Sequence, residues 1–302
     1  MSLDGAVLSR ALRRALRTDS TFWRQALHTG VYYGPDPWVR YSPAAFGWLF
    51  CAALAGPRET VRNMLRRIHG PRPALEEMRD VAEVFANFAA SMSEAMLVGA
   101  DRGYVPTSRP IGDWHFLSSY ARGRGVIIAA AQTAGWDIGG AMLSNVQAKD
   151  VLVVMEAEPN ASARELHDRY RKNAGVKLVH VGSDPLASLP LLRHLRTTGG
   201  ILALKFDRVF PGMRTRPVRF FGEPWRIPEG PLSLASLSGA PIVPVFTRRL
   251  GFLEYELINH PPIYLPRRPT SEQLDQAAQA MADALESFVR AHPTHWFRFR
   301  EE

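Results

Sequence analysis

The sequence predicts an α/β fold, with one largely parallel sheet between helices and a helical cover ahead of it. Three observations carry this. Short apolar runs, "GVIIAAAQ", "DVLVVME", "VKLVHVG" and "ILALKFD", recur after residue 123. Segments of roughly 10–15 residues with helical spacing separate them, the pattern of βαβ units. The first hundred residues instead read as mostly helical. At 302 residues, with 46% hydrophobic and 22% charged residues, the chain can bury a full core.

The clearest N-terminal helix is "PALEEMRDVAEVFANFAASMSEAML". Its apolar positions Leu75, Met78, Val81, Ala82, Phe85, Phe88, Ala89, Met92 and Met96 recur at spacings of three and four, which predicts core packing. "GPRPA" at 70–74 is a stiff break before it. In the second half, "GGAMLSNV", "SARELHDRYRKNAG" and "LASLPLLRHLRTTGG" are helices, the last two ending in glycines that suit a C-terminal cap. "VRFFGE" and "PIVPVFTRR" add strands, and "YELINHPPIYL", with its prolines, predicts an edge strand. "TSEQLDQAAQAMADALESFVRAH" is a closing helix with Thr270 and Gln273 in capping-box spacing. Residues 1–104 are thus a helical region packing on an α/β core of residues 105–302, together one structural domain.

The formal charge is +8, mostly from arginine, which favours an anionic partner. No RNA- or DNA-binding motif accompanies the arginines, so nucleic acid is not the expected one. The single cysteine, Cys51, lies in "FGWLFCAALAG" and reads as a small buried hydrophobe. The longest near-continuous apolar run, "AAFGWLFCAALAG", has 13 residues, short of the roughly 20 that span a bilayer. No signal peptide is visible. Residues 6–17 pair Val7, Leu8, Leu12 and Leu16 on one helical face with Arg10, Arg13, Arg14 and Arg17 on or beside the other. Such a helix either lies on anionic lipid or docks with a solvated basic face, and Trp23, Trp38 and Trp48 favour the lipid surface.

Ligands of such sheets bind beyond the carboxyl ends of the strands. Those ends carry Gln132 to Asp137, Glu156 and Glu158, Gly182 to Asp184, and Asp207 with Arg208. Repeated acidic residues along one sheet edge predict a polar site there. His167 reads as solvated, His180 as a satisfied core residue and His194 as exposed. No histidine pair has metal-ligand spacing, so no metal is expected. No phosphate-loop fingerprint and no G-x-S-x-G elbow is present.

The stretch "WHFLSSYARGRGVIIAAAQTAGWDIGG" resembles the first block of bacterial lysophospholipid acyltransferases of the lipid A late-acyltransferase and phosphatidylinositol mannoside acyltransferase type. Further blocks agree in order. They are "VVMEAEPNASARELHDRYRKNAGVKLV" with Glu156, Arg171 and Gly175, "GGILALKFDRVFPG" with Asp207 and Arg208, "VRFFGEPWRIPEGPLSLASLSGAPIVPVFTRR", and the tail "HPTHWFRFR". The match covers about residues 105–300. The resemblance implies a glycerolipid-acyltransferase-like mixed sheet flanked by helices, and acyl transfer from an acyl thioester at the membrane surface. The donor would be acyl carrier protein or coenzyme A, with no other cofactor. The acceptor would be a lipid or small molecule bearing a hydroxyl or amine. The protein is expected in the cytoplasm, peripheral on the inner membrane. Asp137 would orient or activate, Gln132 would position, and Glu156, Arg171, Asp207, Arg208 and Glu223 would line the site. His115 matches a structural histidine of the family, and Arg214, Arg216 and Arg219 flank the site.

One position departs from the pattern. The family block reads His-x4-Asp/Glu, and here Gln132 stands where the histidine is expected, with Asp137 as the acid. The histidine is the general base that takes the acceptor's proton. Glutamine accepts and donates hydrogen bonds but cannot carry a proton away. Three explanations follow: a catalytically silent acyl- or lipid-binding relative, an amine acceptor that attacks once neutral, or a base supplied by another residue, with Asp137 or a distant histidine as candidates.

Overall fold

The computed structural model describes residues 21–114, 125–147, 151–156, 161–181, 188–197, 199–210 and 212–300. The basic stretch at 6–17, Trp23's side chain, His115, Glu158 and Asp184 lie outside the described residues.

The run "VIIAA" is buried at every position and forms β2, Val126–Ala130. A strand without a polar face belongs in the middle of a parallel sheet covered on both sides. It pairs in parallel with β5, Ile201–Lys205, and with β8, Ile242–Gly251. Next to β5 come β3, Val151–Glu156, and β4, Lys177–Val181, also parallel. Helices α5, Trp136–Gln147, α6, Ala161–Asn173, and α7, Ser188–Thr197, make the crossovers. Among the described residues the sheet has seven strands; β1, Thr107–Ile111, and β9, Glu254–Asn259, complete the order β1-β9-β8-β2-β5-β3-β4.

Two strand expectations are corrected. "YELINHPPIYL" was expected at an edge, yet its strand, β9, Glu254–Asn259, lies between β8, to which it is antiparallel, and β1, to which it is parallel. The edge is β1, Thr107–Ile111, whose sequence "TSRPI" is almost wholly exposed and carries Pro110, a residue suited to an edge. The prolines Pro261 and Pro262 fall just beyond β9 and end it. "VRFFGE" is also not a strand of the main sheet. It turns back on itself as a separate hairpin, β6, Thr215–Phe220, and β7, Glu223–Pro228. Phe221 and Gly222 both take positive φ, 51° and 79°, as a two-residue hairpin turn demands.

The helices before the sheet are α1, Thr21–Tyr33, α2, Asp36–Ala53, α3, Ala55–His69, and α4, Ala74–Val98. Of these, α2, α3 and α4 share a core with the sheet. Val61, Leu65, Val81 and Phe85 share one apolar cluster with Ile127, Leu202 and Phe246 of the sheet. Helix α8, Gly230–Ser238, and closing helix α9, Ser271–Ala291, join the same cluster, and the Thr270–Gln273 capping box of α9 is present as expected. Cys51 is buried there too, and burial raises its thiol pKa. The opposite sheet face packs Ile128, Ala203 and Val243 against Ile138 and Met142 of α5.

The α4 stripe holds only from Val81 onward, since Leu75 and Met78 are exposed. At that end the inward position is Glu77, buried by Arg66 of α3 at 2.6 and 2.9 Å. By length and composition α4 could cross a bilayer, and 56% of its apolar stretch is buried within the protein.

Candidate active site

Because β2, β3, β4, β5 and β8 run parallel, their carboxyl ends share one edge, and the polar residues collect there. β2 leads into a tight turn. The Thr133 N–H donates to the Ala131 carbonyl at 2.7 Å and the Trp136 N–H to the Thr133 carbonyl at 3.2 Å. Gly135 has φ +85°, and a Cβ there would fall 2.5 Å from the Tyr255 ring, so only glycine fits. Helix α5 starts at once, placing Asp137 in its first turn, where the helix dipole favours a carboxylate. Arg171, in the last turn of α6, donates to Asp137 Oδ1 at 2.7 Å. Both side chains are mostly buried, 11% and 15% exposed, so the pair is shielded from solvent screening.

Asp207 follows β5 and is 3% exposed. One of its oxygens accepts the Gln132 backbone N–H and the Trp296 indole N–H, both at 2.9 Å. Its other oxygen is buried with no hydrogen-bond partner among the described residues. Trp296 comes from the C-terminal tail, which bridges antiparallel to Thr133. The Gln132 carbonyl accepts the Phe297 N–H at 2.9 Å, and Arg208 donates to the Phe297 carbonyl at 3.1 Å. Beneath the turn, the Thr133 and Thr247 hydroxyls bond at 2.8 Å.

The Gln132 side chain has a partner that the sequence reading missed. Lys205, at the end of β5, donates from Nζ to Gln132 Oε1 at 2.6 Å. An ammonium only donates, so the amide oxygen must be the atom that faces it. Lys205 Nζ also sits 5.7 Å from the Trp136 ring centre, within cation–π range. Burial pushes its pKa down to about 8, although Asp137 and Asp207 pull it upward. The signal was there to read. Lys205 interrupts an apolar strand two residues before Asp207, the spacing that puts two side chains on one face.

Gln132, Asp137, Arg171, Asp207 and Arg208 are therefore assembled at one edge. Glu156 ends β3 on the same edge, but its side chain lies outside the described residues. Glu223 stands apart, exposed at the first position of β7 beside the hairpin turn. Arg216 is not beside the cluster either, since it is tied to Glu229 and Asp275 where the hairpin meets α9. Arg219 binds the Gly222 carbonyl within that hairpin. His180 is partly exposed, not a core residue, because β4 is the sheet's other edge, and it pairs with Asp168 at 2.6 Å. His194, expected exposed, is partly buried and bonds the Ile201 carbonyl at 3.1 Å. His167's side chain lies outside the described residues.

The ordered blocks that form this edge match a known family. The family model described as "Bacterial lipid A biosynthesis acyltransferase" fits residues 10–302. The chain belongs to that family. It is an acyltransferase. Its relatives include the phosphatidylinositol mannoside acyltransferase of Mycobacterium tuberculosis (strain H37Rv), 23% identical over 301 residues, covering 97% of this chain and 92% of the relative. Another is the protein of the same name from Mycolicibacterium smegmatis, 25% identical over 256 residues, covering 83% of this chain and 80% of the relative. Among solved structures, the 1-acyl-sn-glycerophosphate acyltransferase PlsC of Thermotoga maritima matches with a TM-score of 0.36 and 15% identity, over 82% of this chain and 97% of that one.

Proposed function

We propose that this acyltransferase moves an acyl chain from an acyl thioester, carried by acyl carrier protein or coenzyme A, to a hydroxyl or amine acceptor at the cytoplasmic face of a membrane. The observation that carries the reading is the fixed acid. Asp137, the motif carboxylate, is locked by Arg171 at 2.7 Å beside a second, buried carboxylate, Asp207. Paired charges held this rigidly at a sheet edge suit the orientation of a polar reacting group. A groove of about 290 Å³ adds support. Met64, Ile68, Phe220, Trp225 and Trp296 line it, and Trp296 is the residue whose indole holds Asp207. Its apolar side chains suit an acyl chain, and Thr60, Asn63, Arg67 and Arg298 line it beside them.

For the membrane, the support is a set of exposed aromatic residues on α1 and α2: Tyr32, Tyr33, Trp38, Tyr41 and Trp48. Such rings with polar tips favour the headgroup region. With the net charge of +8 they favour an anionic surface.

The test is thiol release from acyl-carrier-protein and coenzyme A thioesters with pooled hydroxyl and amine acceptors. Wild type is expected to release thiol, and Asp137→Ala to lose it by about 10²–10⁴-fold. Gln132, which cannot carry a proton, favours a second reading: a silent acyl-binding relative. No thiol release from any donor, with acyl chains still bound, would establish that reading instead.

A further inference from the structure

Acyl transfer to a hydroxyl needs somewhere for the proton to go, and Gln132 cannot take it. We propose that Lys205 is the catalytic base of this site, with its amine oriented by Gln132. The proposal rests on the acyl-transfer reading above.

Geometry carries it. Lys205 is paired with Ala130, the last residue of β2, and its Nζ lies 2.6 Å from the side-chain oxygen at the motif position. Its amine therefore reaches the place where the family's base would act. In the neutral form one N–H stays on Gln132 Oε1, and the amine's lone pair can take the acceptor's proton. The charged groups that face Lys205, among the described residues, are Asp137 in α5, Arg171 in α6, and Asp207 and Arg208 after β5. Burial is the largest influence on Lys205 and outweighs the two carboxylates, so the pKa falls to about 8. At pH 7 about one lysine in ten is then neutral. A buried amine of this kind is a suitable base.

The step balances. The acceptor oxygen attacks the thioester carbonyl carbon and its proton passes to the Lys205 amine. The C–S bond then breaks, and the thiolate takes that proton from the ammonium. The products are an ester and a free thiol, and Lys205 is neutral again.

The experiment has two arms on the full-length protein. Thiol release is measured against pH for wild type, Lys205→Met, Lys205→Arg and the double variant Gln132→His/Lys205→Met. The Lys205 amine is titrated separately by competitive labelling with acetic anhydride, which needs no turnover. Wild-type kcat/KM is expected to rise with pH through about 8. Lys205→Met should lower kcat by about 10²–10⁴-fold with little change in the thioester KM. Arginine keeps the charge and the bond to Gln132 but cannot lose its proton, so Lys205→Arg should be as inactive. A merely structural cation would be rescued by it. The double variant should regain activity with its limb near 6.5, the ordinary histidine value. Retained activity and an unchanged pH limb in Lys205→Met, or rescue by arginine, overturns the proposal. If wild type releases no thiol, acyl transfer itself fails and the labelling decides for Lys205. An amine titrating near 8 upholds its proton-accepting state, and one protonated beyond pH 10 overturns it.

Discussion

Two charge clusters, one at Glu94 and one at the strand-end turn, differ in how completely they are satisfied. Glu94, 2% exposed on α4, has both oxygens filled. One accepts Arg249 Nε and Nη2 at 2.9 and 2.6 Å, and the other accepts the Leu253 N–H and the Tyr255 hydroxyl. At the strand-end turn, Asp207 has one oxygen with no partner, and the Trp136 indole N–H is buried without one, among the described residues. Lys205 donates to a neutral amide oxygen. Buried polar groups are normally satisfied. A saturated cluster leaves nothing for a ligand and serves the fold. The under-satisfied one, at the carboxyl edge of the sheet, keeps donors and acceptors for a substrate and bears the cost in stability.

The comparison can be broken by substitution. The largest effect is expected at Glu94→Ala, which strands Arg249 and the Tyr255 hydroxyl. Loss of one partner from a buried pair costs about 3–5 kcal/mol, readable by urea denaturation. Lys205→Met should do the opposite and stabilise. The folded-state pKa of Lys205 lies below its ordinary value, so its ammonium penalises folding below pH 8. The penalty fades as pH rises from about 8 to 10.5, where the unfolded lysine also loses its proton. The gain at pH 7 is up to about 3 kcal/mol and should vanish above pH 10. A destabilised Lys205→Met would mean that the two clusters are energetically alike.

Trp296→Phe removes the indole N–H from Asp207, and a lost bond to a buried charge costs about 1.5–3 kcal/mol. Thiol release should fall further than stability alone explains, since Asp207 also holds the Gln132 backbone. Gly135→Ala is expected to cost about 1–3 kcal/mol for the positive φ alone, and its Cβ pushes on Tyr255, so both clusters should loosen together. A change in one without the other would deny that this glycine couples them. A further test is at low pH. Burial holds His295 down to about 4, with its ring on the Arg249 carbonyl at 3.0 Å. It folds neutral, so stability is lost as pH falls from about 6.5 toward 4, and His295→Asn should flatten that limb of an acid titration.

Much of this was legible because it is local or periodic. The capping box at Thr270 and Gln273 needs only three residues, and β2 declares its central place by having no polar face. Gln132 and Asp137 follow β2 directly, so one turn fixes both at the strand end. Strand β1 was not legible, since "TSRPI" is exposed and has apolar neighbours only through pairing with β9. Nor was the hairpin, whose "FFG" reads as continuous strand until Phe221 takes a positive φ.

Local pattern alone gave the α/β class, the alternation of strands and helices from β2 to β5, the family blocks, and the fact that the motif carries an acid and no histidine. Tertiary structure decided what stands around that glutamine. Lys205 is 73 residues from Gln132 along the chain and Trp296 is 89 from Asp207. Only parallel pairing of β2 with β5, and the return of the tail over the turn, brings them within hydrogen-bonding distance. A lysine's pKa depends on what buries it and which charges surround it. The property that suits Lys205 to carry a proton therefore arises only once those distant segments pack together.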